Sequence, residues 1–231
     1  MENTALWKAL GRNFGISIVL FGALLGLLWV AEWLLNYQSS IINYQLLKWH
    51  DPAWVVGIPA SVIGVAYILT IRDPKNYTGF YAGIVMSILL GVQFLLQGQY
   101  DSMFLYFCIF IPLQILSIIR WNKPVGEGAK PAFLAPKWMA LTFVIFALIV
   151  VGDYLLSPSL VQLFNGLLIA SSIMANFWLV FRKKDAWIYW IVYSVAGIAL
   201  FVIVGNIFSI VLFSFFLVIN SMAAYAWICK Q

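Results

Sequence analysis

Of the 231 residues, 64% are hydrophobic and only 9% charged, with a formal net charge of +5. Soluble globular chains carry about 45–50% apolar and about 25% charged residues, and a water-soluble domain of this size could not hide so much apolar surface. The apolar residues run continuously, not in the alternating segments of about 10 residues that build a transmembrane barrel, so the chain reads as an all-α membrane protein.

Eight spans follow in chain order. The first, 14–35, is too long for a cleavable leader. Its Gly22-xxx-Gly26 spacing offers a small-residue face to a neighbouring helix or subunit, or to ordinary packing within the chain. Spans 53–71 and 80–97 are separated by Asp73-Pro74, and 80–97 and 102–119 by Gly98-Gln99. The one long connection, Arg120 to Lys137, contains Asn122-Lys123-Pro124 and Gly126-Glu127-Gly128 and reads as a hinge between halves. Span 138–156 comes next, then 160–181 after Ser157-Pro158, and finally 186–204 and 207–228. Pro59 and Pro112 interrupt backbone hydrogen bonding inside spans and are candidate kinks. Gly83, Gly91, Gly166 and Gly197 mark places of close helix approach or bending. Cys108 and Cys229 lie far apart in apolar segments and read as small hydrophobes, with no metal or disulfide spacing. No cofactor and no metal are expected.

With the N-terminus inside, every lysine and arginine except Lys48 falls on the cytoplasmic side. Both termini are therefore expected in the cytoplasm, in a multi-pass protein of the plasma (inner) membrane. The basic balance is explained by topology and calls for no nucleic-acid partner.

A shift of 106 residues brings two halves into register: Pro52 falls on Pro158, Phe107 on Phe213, Phe110 on Phe216, Gln114 on Asn220 and Trp121 on Trp227. The order span, basic loop, span, nearly uncharged loop, span occurs at 53–121 and again at 160–228. Both triplets start on the same side, which the intervening span 138–156 permits. The expected architecture is two parallel three-helix repeats joined by a linker helix (3+1+3), plus one extra N-terminal helix. The corresponding divisions are 1–37, 38–121, 122–157 and 158–231. Repeat-built carriers hold their substrate at the interface between repeats.

Polar groups at membrane depth are costly unless they find partners or line a watery cavity. No Asp, Glu, Lys, Arg or His lies near the middle of a span; Glu32, Asp101 and Asp153 fall toward the outer ends. That pattern suits passive carriage better than proton or sodium coupling. The polar groups present are amides, hydroxyls and indoles. Gln93 sits deep in the third span. Gln114, Ser117 and Trp121 share one face of the fourth. Asn165, Ser171, Ser172 and Asn176 lie in the sixth, Trp187, Trp190 and Ser194 on one face of the seventh, and Asn220 with Trp227 in the eighth. Indoles stack on rings and attract delocalised cations, and amides pair with hydroxyls and ring substituents, so the set suits a flat heterocycle joined to a sugar. The alternative for each is plain: interfacial Trp enrichment for Trp187 and helix–helix glue for the amides.

At these residues the chain resembles the nicotinamide riboside transporter family of the PnuC type, over about 53–228. The family's Trp-x-x-Trp-x-x-x-Asn motif is similar to Trp187-Ile-Tyr-Trp190-Ile-Val-Tyr-Ser194, with Ser194 standing where the family has Asn. Gln114, seven residues before Trp121, and the pair Asn76-Tyr77 add to the likeness. The resemblance implies a fold like that of the SWEET sugar transporters and a homotrimer in the bilayer. It also implies facilitated diffusion of nicotinamide riboside by alternating access, with trapping by phosphorylation in the cytoplasm. Relatives of the same fold carry thiamine, riboflavin or deoxynucleosides. The substrate-binding residues expected are Trp187, Trp190, Ser194, Gln114, Gln93, Asn220 and Asn165, with Trp187 and Trp190 facing the ring. Two other classes compete. An intramembrane enzyme would need a catalytic cluster, and the only histidine, His50, sits in an outer loop beside Asp51. A structural or regulatory membrane protein would use the same residues for packing.

Overall fold

The computed structural model describes residues 3–38, 51–122, 131–205 and 207–229. Eight long helices occupy these segments: α1 (Asn3–Gln38), α2 (Pro52–Ile71), α3 (Gly79–Leu96), α4 (Tyr100–Phe104, Leu105–Phe110 and Ile111–Trp121 in unbroken succession), α5 (Pro136–Leu156), α6 (Leu160–Val180), α7 (Asp185–Val204) and α8 (Ile207–Cys229). Seven carry stretches long and apolar enough to cross a membrane, and α2 adds the shorter apolar stretch Val55–Ile71. The chain is a multi-pass helical membrane protein. Seven of the expected spans agree with these helices to within two residues at each end. The exception is the first, which begins at Asn3 because residues 3–13 contain no helix breaker stronger than Gly11.

The helix ends follow local chemistry. The Asp51 side chain accepts from Ala53 N at 2.9 Å with Pro52 as first helical residue, a standard start for α2. Ser159 Oγ accepts from Gln162 N at 3.1 Å and starts α6. Gly205, in the left-handed region at φ 75°, ends α7. Pro112 has no N–H to return to the preceding turn, and the turn before it, Leu105–Phe110, widens into a π-helix. Pro59 leaves α2 continuous.

Helices α2, α3 and α4 pack in succession, as do α6, α7 and α8; α1 lies on α2 and α5 on α6. The triplets meet reciprocally, α4 against α6 and α2 against α8, so the third helix of each contacts the first of the other. Specific contacts recur in the two triplets, a glycine–phenylalanine contact at the 106-residue spacing and a Trp-to-carbonyl bond with its acceptor displaced by one residue. A Cβ on Gly91 would come within 2.7 Å of the Phe107 ring, and one on Gly197 would overlap the Phe213 ring. Trp121 Nε1 donates to the carbonyl of Leu179 at 3.1 Å, and Trp227 Nε1 to that of Arg72 at 2.7 Å. Gly83, against Gln114, and Gly166, against Asp153 and the Val150 carbonyl, are likewise close approaches. Gly22 and Gly26 are not: nothing among the described residues would come within 4 Å of a Cβ there. Polar bonds pin the start of α1 instead. Asn13 Nδ2 donates to Thr70 Oγ1 at 3.0 Å, while Asn76 Nδ2 and Thr78 Oγ1 donate to the Leu6 carbonyl.

Arg72, Lys75, Arg120, Lys137 and Arg182 to Lys184 gather at one end of the bundle, tied together by the bonds just described and by Lys184 N to the Ala132 carbonyl at 3.1 Å. Beneath this basic end lies the main apolar core, with Phe80, Trp121, Leu179, Trp187 and Trp227 buried. Lys48, His50 and the Gly126-Glu127-Gly128 hinge lie outside the described residues.

Candidate functional site

A cavity of 540 Å³ opens between the two triplets, lined by residues of α2, α3, α4, α6, α7 and α8. Among the described residues, none of α1 or α5 contributes to the wall. It runs from the exposed Gln97 and Gln99, at the end opposite the basic residues, to Tyr67, Asn176 and Asn220 at mid-depth. Below them the aromatic core closes the path.

Two hydrogen-bonded groups form and support the floor. Gln114 Nε2 donates to Tyr67 OH at 3.2 Å and to Asn176 Oδ1 at 3.0 Å, and Asn176 Nδ2 donates to the Ser172 carbonyl at 2.9 Å. Opposite, Asn220 Nδ2 donates to Ser194 Oγ at 3.0 Å and the Trp190 carbonyl at 3.3 Å, while Ser194 Oγ donates to the same carbonyl at 2.9 Å. These bonds fix the amides and leave Asn220 Oδ1 and Trp190 Nε1 buried without partners. Buried polar atoms are ordinarily satisfied, and both residues line the cavity, so the floor holds an unpaired acceptor and an unpaired donor just beneath its surface. Aromatic walls rise above it. Phe94 stacks on Tyr106 at 5.4 Å between centroids, and Tyr193 meets Trp190 edge-to-face at 5.4 Å. The mouth is lined by amides: Gln93, Gln97, Gln99, Gln162 and Asn165. No lysine, arginine, histidine, aspartate or glutamate is among the described lining residues.

The basic end is shut by the paired Trp-to-carbonyl bonds and by Arg182. Its guanidinium lies over the Trp121 ring at 4.9 Å and donates to the Trp121 carbonyl at 3.0 Å. Arg182 adopts φ 53°, a left-handed conformation unusual for a residue with a side chain. Partial burial lowers its pKa.

A family model described as the nicotinamide mononucleotide transporter matches residues 54–229. The chain belongs to this family. A nicotinamide riboside transporter PnuC from Neisseria mucosa is 23% identical over 183 residues, covering 75% of this chain and 68% of that protein. A crystal structure of the vitamin B3 transporter PnuC shares the fold, with a TM-score of 0.64 at 17% identity over 96% of this chain and 95% of that one. Membership places the chain among membrane transporters and not among enzymes.

In this family member, four of the seven expected site residues line the cavity: Trp190, Asn220, Gln93 and Asn165. Gln93 sits one turn from the end of α3, near the mouth, and not deep as its place in the sequence suggested. The other three do not line it. Gln114 and Ser194 lie one hydrogen bond behind the floor, holding Asn176 and Asn220. Trp187 is wholly buried against Trp227, 5.6 Å between centroids, in the core of the basic end. The two tryptophans of the motif are three residues apart and point to different layers. Tyr67, Tyr106, Tyr193 and Gln162 line the cavity without having been singled out; tyrosine in an apolar span gives no signal distinct from packing. Asn176 was visible as an intramembrane amide, but its pairing with Gln114, 62 residues away, was not.

Proposed function

We propose that this chain carries nicotinamide riboside across the plasma (inner) membrane by facilitated diffusion. The observation that carries the reading is the cavity between the triplets: aromatic walls, an amide and indole floor, and no charged group in the described lining. The pyridinium ring of nicotinamide riboside is a delocalised cation that suits the faces of Trp190, Tyr106 and Tyr193. Ribose hydroxyls suit Asn220 Oδ1 and the amides of the mouth. A mononucleotide would bring a phosphate with nothing of opposite charge to receive it, at a cost of several kcal/mol of desolvation. The riboside is therefore the better fit, in agreement with the substrate for which the Neisseria relative is named.

The two triplets act as units that rock about the cavity, with α5 as linker. The paired bonds of Trp121 and Trp227 hold the basic end closed while the opposite end admits substrate. Both termini and the basic end face the cytoplasm, by the positive-inside rule. Phosphorylation there traps the riboside, and transport itself needs no coupling ion. Three copies assemble as a homotrimer.

Uptake into liposomes containing the purified protein, without ion gradients, tests the reading. Nicotinamide riboside should enter and equilibrate, and nicotinamide mononucleotide should not. Entry of thiamine, riboflavin or a deoxynucleoside in its place would reassign the substrate within the same fold. No uptake of any of them would remove the transport reading.

A further inference from the structure

We propose that Asp153 is a specificity-determining residue, setting the charge preference of the cavity mouth through Asn165. This role rests on the proposed carriage of a pyridinium nucleoside. The described lining holds no charged side chain, yet one carboxylate stands a single hydrogen bond behind it. Asp153 lies on α5, three residues before its last residue Leu156, and is half-buried. Its Oδ2 accepts from Asn165 Nδ2 at 3.4 Å, and Asn165 lines the cavity.

The local packing is arranged for this contact. A Cβ on Gly166 would stand 3.2 Å from Asp153 Cβ and from the Val150 carbonyl, and 3.3 Å from Asp153 Oδ2. Those distances are tighter than ordinary contact, so the glycine is what lets α5 approach α6 closely enough to bring the carboxylate to Asn165. The consequence is directional. With one amide proton committed to Asp153, Asn165 keeps its carbonyl oxygen and a second N–H for the mouth, and the whole group is backed by a negative charge. No cation among the described residues pairs with Asp153 to cancel that charge. The lysines and arginines of the described helices and loops sit at the other end of the bundle. A unit charge felt across a partly solvated wall changes the local concentration of a monovalent cation about fivefold, and salt screens the effect. Asp153 thus favours a cationic nucleoside over an uncharged one of the same shape, from a helix that does not itself line the path.

The test compares uptake of nicotinamide riboside with that of its 1,4-dihydro form, equal in size but uncharged, into liposomes held at zero membrane potential. Wild-type protein should prefer the cation. Asp153→Asn should lower the cation-to-neutral ratio about fivefold at low salt, chiefly through KM, and leave uptake of the neutral compound near wild type, which doubles as the folding control. Asp153→Glu, which keeps the charge, should retain the preference, and high salt should shrink it in the wild type. If Asp153→Asn reduces both compounds equally, the residue is structural and the proposal is overturned; an unchanged ratio overturns it too. Wild-type protein that carries the dihydro compound but not the cation would refute the proposed substrate and the charge preference together. Wild-type protein that carries neither would refute the proposed function, and this role with it.

Discussion

The closure of the basic end predicts a quantitative effect of two conservative substitutions. Trp121→Phe and Trp227→Phe keep an aromatic ring in the core but delete the indole N–H that reaches the carbonyl of Leu179 or of Arg72. Each is a bond between triplets, so it is made when the basic end is closed and lost when that end opens. A typical intramolecular hydrogen bond contributes about 1 kcal/mol net, equivalent to about a fivefold change in the closed-to-open ratio. The two indoles touch, 5.8 Å between ring centroids, so their effects couple, and the double variant should shift the ratio further than either single without being held to the simple product. The readout is the modification rate of a cysteine introduced by Ala223→Cys, a wholly buried position in the same core, with a membrane-impermeant thiol reagent. The exposed Cys108 and Cys229 are first replaced by alanine. Rates should rise about fivefold for each single variant and further for the pair. Unchanged rates in both singles would refute the idea that these bonds hold the end shut. A rise in only one would refute the equivalence of the triplets that the 106-residue spacing suggests.

Other consequences can be checked on the same protein. Trp190→Ala should weaken nicotinamide riboside binding about tenfold, from 1–2 kcal/mol of lost ring contact, as read by calorimetry; unaltered affinity would move the site away from the floor. Gln114→Leu leaves Tyr67 OH and Asn176 Oδ1 without their donor and should cost about 1–3 kcal/mol, seen as a lower Tm in detergent; an unchanged Tm would show that the bonds are not structural. Gly197→Ala should destabilise by about 1–3 kcal/mol through overlap with the Phe213 ring, and Phe213→Leu in the same chain should recover most of the loss. Absence of rescue would place the cost elsewhere. Since no carboxylate or imidazole is in the described lining, uptake should be flat from about pH 6 to pH 8 and indifferent to a proton gradient; a slope across that range would argue for coupling.

The helices and their order were legible in the residues because lipid imposes a one-dimensional constraint. Each crossing must satisfy its own backbone bonds within about 20 apolar residues, and Asp51-Pro52, Ser157-Pro158-Ser159 and Gly205 punctuate the ends through purely local chemistry. Charge placement is equally local, so the gathering of Arg72, Arg120 and Arg182 at one end could be anticipated loop by loop. The polar site was legible only as an inventory. Periodicity put Trp187, Trp190 and Ser194 on one face, but depth along the bundle assigned them to three roles: core, floor and a support behind Asn220. The same holds for Gln114. An amide at mid-span announces that it needs a partner, yet whether that partner is a ligand or the side chains of Tyr67 and Asn176 depends on contacts made 47 and 62 residues away. Non-local pairing of this kind leaves no trace in hydropathy, because it is set by how the helices of one triplet seat against those of the other.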